Sequence, residues 1–375
     1  MKLETKCVHS GSYFDEKTRG VNSPIFTSSA YDYLDSDVRL YPRYFNLPNQ
    51  EAVVKKLCDL EGAEDGVLFS SGMAAISTTL LTFLQSGDHA VIQEEIYGGT
   101  HSFVSHHFCR QGIEYAFAPA DADAIINAVH PGTKVIYIES PTNPLLTIVD
   151  IRKVAKFAEK HNLITIIDNT FASPVNLNPI NLGIDIVVHS GTKYLGGHSD
   201  LCCGIAVTSK SLSDQIRKTA SGFGGSLNAL TCYILERSLK TLCLRVERQT
   251  ENAQNIAEHL AKNSLIKKVN YPGLKTHPGH HIAEAQMKGF GGMLSFEPDA
   301  NHITVNDFMR KLKVIKSALS LGGVDPTICD PATTSHQKVP AEERQRLGIT
   351  DNLLRLSVGI EHVDDLIDDI EQALK

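Results

Sequence analysis

"IDIVVHSGTKYLGGHSD" spans Ile184 to Asp200, opening as an apolar run rich in Ile and Val and breaking into a turn of Ser, Gly and Thr that carries one lysine, Lys193. β-Branched residues suit a pleated strand, and a run without polar alternation suits one buried on both faces. The run is one of seven. "GVLFS", "HAVIQEE", "IEYAFA", "KVIYIES" and "LITIIDN" precede it and "GIAVTS" follows, with helix-like segments between. In "VDIRKVAKFAEKHN", Ile151, Val154, Ala155 and Ala158 recur at three- and four-residue spacing. Strands alternating with amphipathic helices predict an α/β domain built on a large, mostly parallel, seven-stranded sheet.

Outward from this centre the chain changes character. Residues 1–50 carry Pro24, Pro42 and Pro48 and the aromatic piece "YDYLDSDVRLYPRYFN", and read as an extended arm that packs on something else. Residues 51–244 make the large domain and 245–375 a smaller C-terminal α/β domain. A single long helix is expected from about Leu227 to Asn263, since no Gly or Pro interrupts it. Beyond it come the strand "GGMLSFEP", a helix over "VNDFMRKLKVIKSAL", the strand "LLRLSVGIE" and a closing helix "VDDLIDDIEQALK".

The 375 residues are 42% hydrophobic and 21% charged, with a formal net charge of -7, which supplies ample core and argues against a surface built to neutralise nucleic-acid phosphates. No apolar run approaches the roughly 18 residues of a membrane span, and "MKLETKCVHSGSYFDEK" has no apolar signal core. A cytoplasmic protein is expected, with no membrane or nucleic-acid partner. The eight cysteines form no CxxC pair and sit mostly in apolar runs, so they read as reduced, buried small hydrophobes. "THPGHH" and "FVSHHFCR" lack ligand spacing and read as a solvated loop and a helix face, with no metal.

Ligands of open α/β sheets sit beyond the carboxyl ends of the strands. There the sequence presents Ser71 and Gly72 at a helix start, Tyr97, Asn143, Asp168 with Asn169, and Ser190, Thr192 and Lys193. A helix start holds anions through free N–H groups and its dipole. An amine that loses charge on burial becomes a carbonyl-capturing nucleophile and a base. A lone Asp is usually a cap, a lone Tyr packing and a lone Lys a solvated stem; each bland reading explains one residue and none explains the set. The set suits pyridoxal 5'-phosphate, which offers a phosphate, a carbonyl and a ring nitrogen wanting a negative partner.

At "SSGMAAI", "YGGT", "ESPTNP", "DNTFASP", "HSGTKYLGGHSD" and "LLRLSVGIE" the chain resembles the Cys/Met-metabolism (trans-sulfuration) family of pyridoxal-phosphate enzymes, over nearly its whole length. That family includes cystathionine γ-synthase, cystathionine γ-lyase, cystathionine β-lyase and methionine γ-lyase. The resemblance implies an aspartate-aminotransferase-like fold of type I and a lyase acting on a small amino-acid substrate. It implies Lys193 as the lysine that binds the cofactor and shuttles protons, Tyr97 as ring-stacking acid–base partner, and Asp168 on the ring nitrogen. Gly72, Met73, Ser190 and Thr192 would hold the phosphate, and Arg355, helped by Asn143 and Ser320, the substrate α-carboxylate. "YPRYFN" implies that Tyr41 and Arg43 reach a neighbouring subunit's phosphate, in a homo-oligomer built as a dimer of dimers.

Departures bear on which reaction is run. "YGGTHS" puts Ser102 where cystathionine γ-enzymes carry an arginine for the distal carboxylate, and "ALSLGG" puts Leu319 where they carry a glutamate. Methionine γ-lyases have Cys where this chain has Gly99, and "NLPN" replaces the usual "NPT" of the arm. Arg110, His101 and His106 are candidate replacements for the missing cation. A C–S lyase on cystathionine, methionine or a related cysteine or homoserine derivative is expected; a γ-replacement synthase would use the same residues and pass its intermediate to a thiol. An aminotransferase would instead leave the cofactor in its amine form, and an inactive scaffold would need a broken constellation.

Overall fold

A computed structural model of the chain describes residues 1–337, 339 and 341–375. The first sheet comprises β1 (Asp65–Phe69), β2 (His89–Gln93), β3 (Glu114–Ala118), β4 (Thr133–Glu139), β5 (Ile164–Asp168), β6 (Ile186–Ser190) and β7 (Gly204–Thr208). Its order is β1-β7-β6-β5-β4-β2-β3, and only β7 runs antiparallel to its neighbours. All seven expected strands are present, and the fold is the mostly parallel seven-stranded one expected.

The helices around it are α1 (Leu3–His9), α2 (Pro48–Glu61), α3 (Gly72–Phe83), α4 (Gly98–Phe103), α5 (Ala122–Asn127), α6 (Ile151–Lys160), α7 (Ser173–Asn176), α8 (Lys210–Phe223) and α9 (Ala229–Leu239). Val67, Ile92, Val135 and Ile166 face one apolar layer with α3 and α8, while Leu68, Val91, Ile136 and Ile167 face the other with α2, α6 and α9. Burial on both faces is why these strands read as unbroken apolar runs. Helix α6 buries the expected Ile151, Val154, Ala155 and Ala158, and the Asp150 side chain caps it by accepting the Lys153 N–H.

The chain then passes through α10 (Leu242–Leu260) into a second sheet: β8 (Ile266–Asn270), β9 (Met293–Pro298), β10 (Lys316–Ser317), β11 (Thr327–Cys329) and β12 (Leu354–Ser357), in the order β10-β11-β12-β9-β8. Around it lie α11 (His280–Gln286), α12 (Val305–Lys311), α13 (Ala341–Arg346) and α14 (Val363–Leu374). The expected boundary at 244/245 falls inside α10. No helix among the described residues is long and apolar enough to cross a membrane.

Four expectations need correction. The single helix over Leu227–Asn263 is two, α9 and α10, because Arg245 reaches back to the Ser238 carbonyl at 3.0 Å and out to Tyr194 O at 2.8 Å, taking an acceptor the helix would otherwise use. Helix α12 stops at Lys311 because the Asp369 carboxylate accepts the N–H groups of Lys313, Val314 and Ile315 at 2.8–2.9 Å and turns the backbone aside. The arm begins as a helix, α1, packed on α2 and α10, and only the stretch after it is irregular. Finally, Cys109 and Cys202 are exposed, whereas the other six cysteines are buried.

Candidate active site

The site forms at the carboxyl ends of β4, β5 and β6, where the small sheet closes over them. Ser71 caps α3, its hydroxyl accepting the Ala74 N–H at 3.1 Å. A Cβ on Gly72 would lie 2.8 Å from the Ser190 Cβ, so only glycine lets the first turn of α3 rest against the end of β6. The first N–H groups of a helix, here those of Gly72 and Met73, have no helical partner. Thr170 ties the neighbouring strand ends together: its hydroxyl accepts the Ser190 N–H at 2.8 Å and its own N–H donates to Asp168 Oδ1 at 2.9 Å. The Thr192 hydroxyl accepts the Cys203 N–H at 3.2 Å and lies 3.4 Å from the Cys203 carbonyl, a long contact that a phosphate oxygen could displace.

Lys193 donates from Nζ to Ser320 Oγ at 2.8 Å. Ser320 holds a left-handed backbone, φ +81°, and its carbonyl accepts from Arg355 Nη2 at 3.2 Å. Such strain in a non-glycine residue concentrates at functional sites. From β12, Arg355 also donates through Nη1 to Asn143 Oδ1 at 3.0 Å, and its buried Nε has no protein partner. The structure thus joins Lys193, Ser320, Arg355 and Asn143 in one chain of hydrogen bonds, and Gly72, Ser190 and Asp168 in an adjoining group. Tyr97 enters through its backbone N–H, which donates to Glu139 Oε2 at 2.8 Å, while its ring is exposed. Tyr41 and Arg43 lie elsewhere: Arg43 donates to the Ser221 carbonyl of α8 and sits over the rings of Tyr41 and Tyr44.

Burial sets the charges. It lowers the Lys193 pKa, helped by the nearby Arg355, and so favours the neutral amine. It raises that of Asp168, against the pull of Thr170, His189 and Lys193, leaving a carboxylate that would gain from a cationic partner. Glu139 is also raised by burial and by Asp168. His336 is pushed down to about 4 by burial and by Arg355, so it is neutral at pH 7.

Thr170, Glu139 and His336 were not singled out in the sequence. The first two lie in "DNTFASP" and "ESPTNP", Thr170 next to Asn169 and Glu139 four positions before Asn143; His336 carries no local signal. Beneath the sheet ends, Glu61 and His189 make a buried 2.6 Å pair. Of the three candidate cations, His101 lines the cleft shared by Asn143 and His336 and stacks on Phe117, while His106 and Arg110 are exposed. Burial lowers the His101 pKa, so it offers an N–H rather than a full charge. Leu319 is 64% exposed beside Ser320, and the Ser102 carbonyl is held by His106 at 2.8 Å. Among the described residues no group of three His, Cys, Asp or Glu is arranged to hold a metal ion.

The residues fit pyridoxal phosphate: a glycine-lined cradle at a helix start, a buried carboxylate, a desolvated lysine and a guanidinium with a spare buried N–H. A family model described as "Cys/Met metabolism PLP-dependent enzyme" matches residues 4–375. A cystathionine gamma-lyase of Bacillus subtilis is 42% identical, with 100% of both chains covered. A cystathionine beta-lyase of Lactococcus lactis is also 42% identical, covering 100% of this chain and 99% of the other. The crystal structure of cystathionine gamma-lyase from Lactobacillus plantarum complexed with L-serine superposes with a TM-score of 0.96 at 38% identity, covering 100% of this chain and 98% of that one.

Proposed function

The chain belongs to the Cys/Met metabolism family of pyridoxal-phosphate-dependent enzymes, and from that premise we propose that it cleaves the C–S bond of cystathionine or a closely related sulfur amino acid, with Lys193 moving the protons. The observation that carries this reading is the hydrogen-bonded run from Lys193 through Ser320 to Arg355 and Asn143. It ties a base to a carboxylate clamp through one residue.

Arg355 would take the substrate α-carboxylate with its planar fork, its spare Nε–H and its Nη groups as donors, and Asn143 would fix the fork's orientation. A substrate so held would bring its α-carbon toward Lys193 Nζ, whose lowered pKa supports it as acceptor of the α-proton. Bound beside Asp168, the cofactor supplies the electron sink for that deprotonation. Asp168 would hold a proton on the ring nitrogen, the N–H groups of Gly72 and Met73 with Ser190 and Thr192 would hold the phosphate, and Tyr97 would cover the ring. As the C–S bond breaks, its electron pair leaves on sulfur. The Lys193 ammonium or the Tyr97 hydroxyl returns a proton there, releasing a thiol; hydrolysis then gives a 2-oxo acid and ammonia.

Tyr41 and Arg43 make no contact with this cluster in their own chain. Tyr13, Phe14, Val21, Tyr33, Leu34 and Val38 leave the arm with exposed apolar side chains, which supports a second copy covering it and receiving both residues at its own phosphate site. The neutral His101 and exposed Leu319 support a distal site with no strong demand for a second carboxylate.

The test is to incubate the holoenzyme separately with L-cystathionine, L-methionine and L-cysteine and identify the 2-oxo acid. Pyruvate or 2-oxobutyrate with stoichiometric ammonia is expected. Product that appears only when a thiol is added with an activated homoserine would replace the lyase reading by a γ-replacement synthase.

A further inference from the structure

Away from the site, two buried cysteines far apart in sequence meet. Cys7 of α1 and Cys243 in the first turn of α10 stand with their sulfurs 3.4 Å apart, 1% and 3% exposed, although 236 residues separate them in sequence. The remaining cysteines provide no second hydrogen-bonded sulfur pair among the described residues. We propose that Cys7 and Cys243 are a redox-active dithiol that hydrogen peroxide or another two-electron oxidant closes to a disulfide, stapling the N-terminal helix to α10 beside the active-site turn.

Chemistry and access both support it. The hydrogen bond from the Cys243 thiol holds the Cys7 thiol below its ordinary pKa against the opposing effect of burial, with smaller help from Arg245 and from Lys56, which donates to the Cys7 carbonyl at 3.0 Å. A thiolate is the form that attacks peroxide. Cys7 sulfur would attack one peroxide oxygen, breaking the O–O bond to give a sulfenic acid and water. Cys243 sulfur would then attack the Cys7 sulfur, displacing a second water and forming the S–S bond. Two thiols lose two electrons and two protons, and one peroxide becomes two waters. Burial slows direct attack, but α1 is only seven residues long and has no side-chain cap on its first turn, so its local opening would expose Cys7.

The position has a consequence for catalysis. Two residues beyond Cys243, Arg245 grips the carbonyls of Tyr194 and Leu195, which directly follow Lys193, at 2.8 and 3.4 Å. Closing the S–S bond draws the first turn of α10 onto α1 and removes the thiolate beside the Arg245 guanidinium, so the clamp on the Lys193 turn shifts.

The test treats reduced holoenzyme with hydrogen peroxide, alkylates the remaining thiols and maps peptides without reduction. A linked Cys7–Cys243 peptide is expected, together with a several-fold fall in cleavage rate that dithiothreitol reverses. Both responses should vanish in Cys7→Ala and in Cys243→Ala, two separate variants that guard against misfolding of either. Recovery of Cys7 and Cys243 as alkylated thiols while the exposed Cys109 and Cys202 are oxidised would overturn the dithiol. A linked peptide with unchanged rate would overturn the coupling to the Lys193 turn. The peptide map does not depend on the lyase reading and separates failure of one from failure of the other.

Discussion

Ser320 holds Lys193 by its hydroxyl and Arg355 by its carbonyl, so one residue sets the spacing between base and carboxylate clamp. Ser320→Ala removes only the hydroxyl; kcat is expected to fall about 10-fold, at the low end for a perturbed acid–base step, with KM little changed. Arg355→Lys keeps the charge but loses the fork, and KM for the amino acid should rise by ~10-fold or more, as steady-state kinetics would register. His336 makes a pH prediction. Burial lowers its pKa in the folded protein to about 4, so between that value and the ordinary 6.5 the unfolded chain binds more protons. Its contribution is therefore present above about pH 6.5 and is lost as pH falls toward 4, an effect on the order of a few kcal/mol. His336→Gln should flatten the acid limb of Tm measured against pH; an unchanged limb would remove His336 as its cause. Asp168 and Lys193 were legible because each follows an apolar run, where a charge is conspicuous, whereas Arg355 lies inside its strand and was reached through the resemblance at "LLRLSVGIE". Thr170 and His336 were not, since a threonine in a turn and a histidine in a loop are ordinary until the fold shows what they touch.

At the scale of elements, α3 and the end of β6 depend on contact through glycine. Gly72→Ala places a Cβ 2.8 Å from the Ser190 Cβ and pushes the helix start away. Affinity for pyridoxal phosphate should drop measurably in titrations of the apoenzyme, while the far-UV circular dichroism stays near that of the parent. Asp369 on α14 accepts three backbone N–H groups that end α12. Asp369→Ala strands those donors and should cost about 2–4 kcal/mol in denaturant unfolding, since bonds to a charged group are worth ~1.5–3 kcal/mol each and water recovers part of the loss. The strands were readable because two-sided burial writes an unbroken apolar run. The breaks between α9 and α10 and after α12 were not, because the first turns on Arg245 reaching the distant Tyr194 carbonyl and the second on Asp369 from the last helix. Local composition at the break carries no trace of either.

For the whole molecule, the large sheet would supply the proposed cofactor cradle, and the small sheet carries Arg355 and the Ser320 loop. The site is thus a closure of one domain on the other, spanned by α10. The arm is the part left over, with Arg43 bonded to α8 rather than to its own cluster and apolar side chains exposed along it. Sedimentation should give a multiple of the chain mass, and Arg43→Ala should weaken cofactor retention; a monomer with full cofactor affinity would remove the arm from the account. The domain order was legible from the rhythm of strands and helices, whereas the meeting of Lys193 with Arg355 spans 162 positions and belongs to the fold alone. The most direct measurement reduces the holoenzyme with borohydride and maps the lysine that carries the cofactor. The account predicts the added mass on Lys193 alone, with the visible chromophore and C–S cleavage both lost in Lys193→Ala; the mass on another lysine, or cleavage retained in that variant, would contradict it.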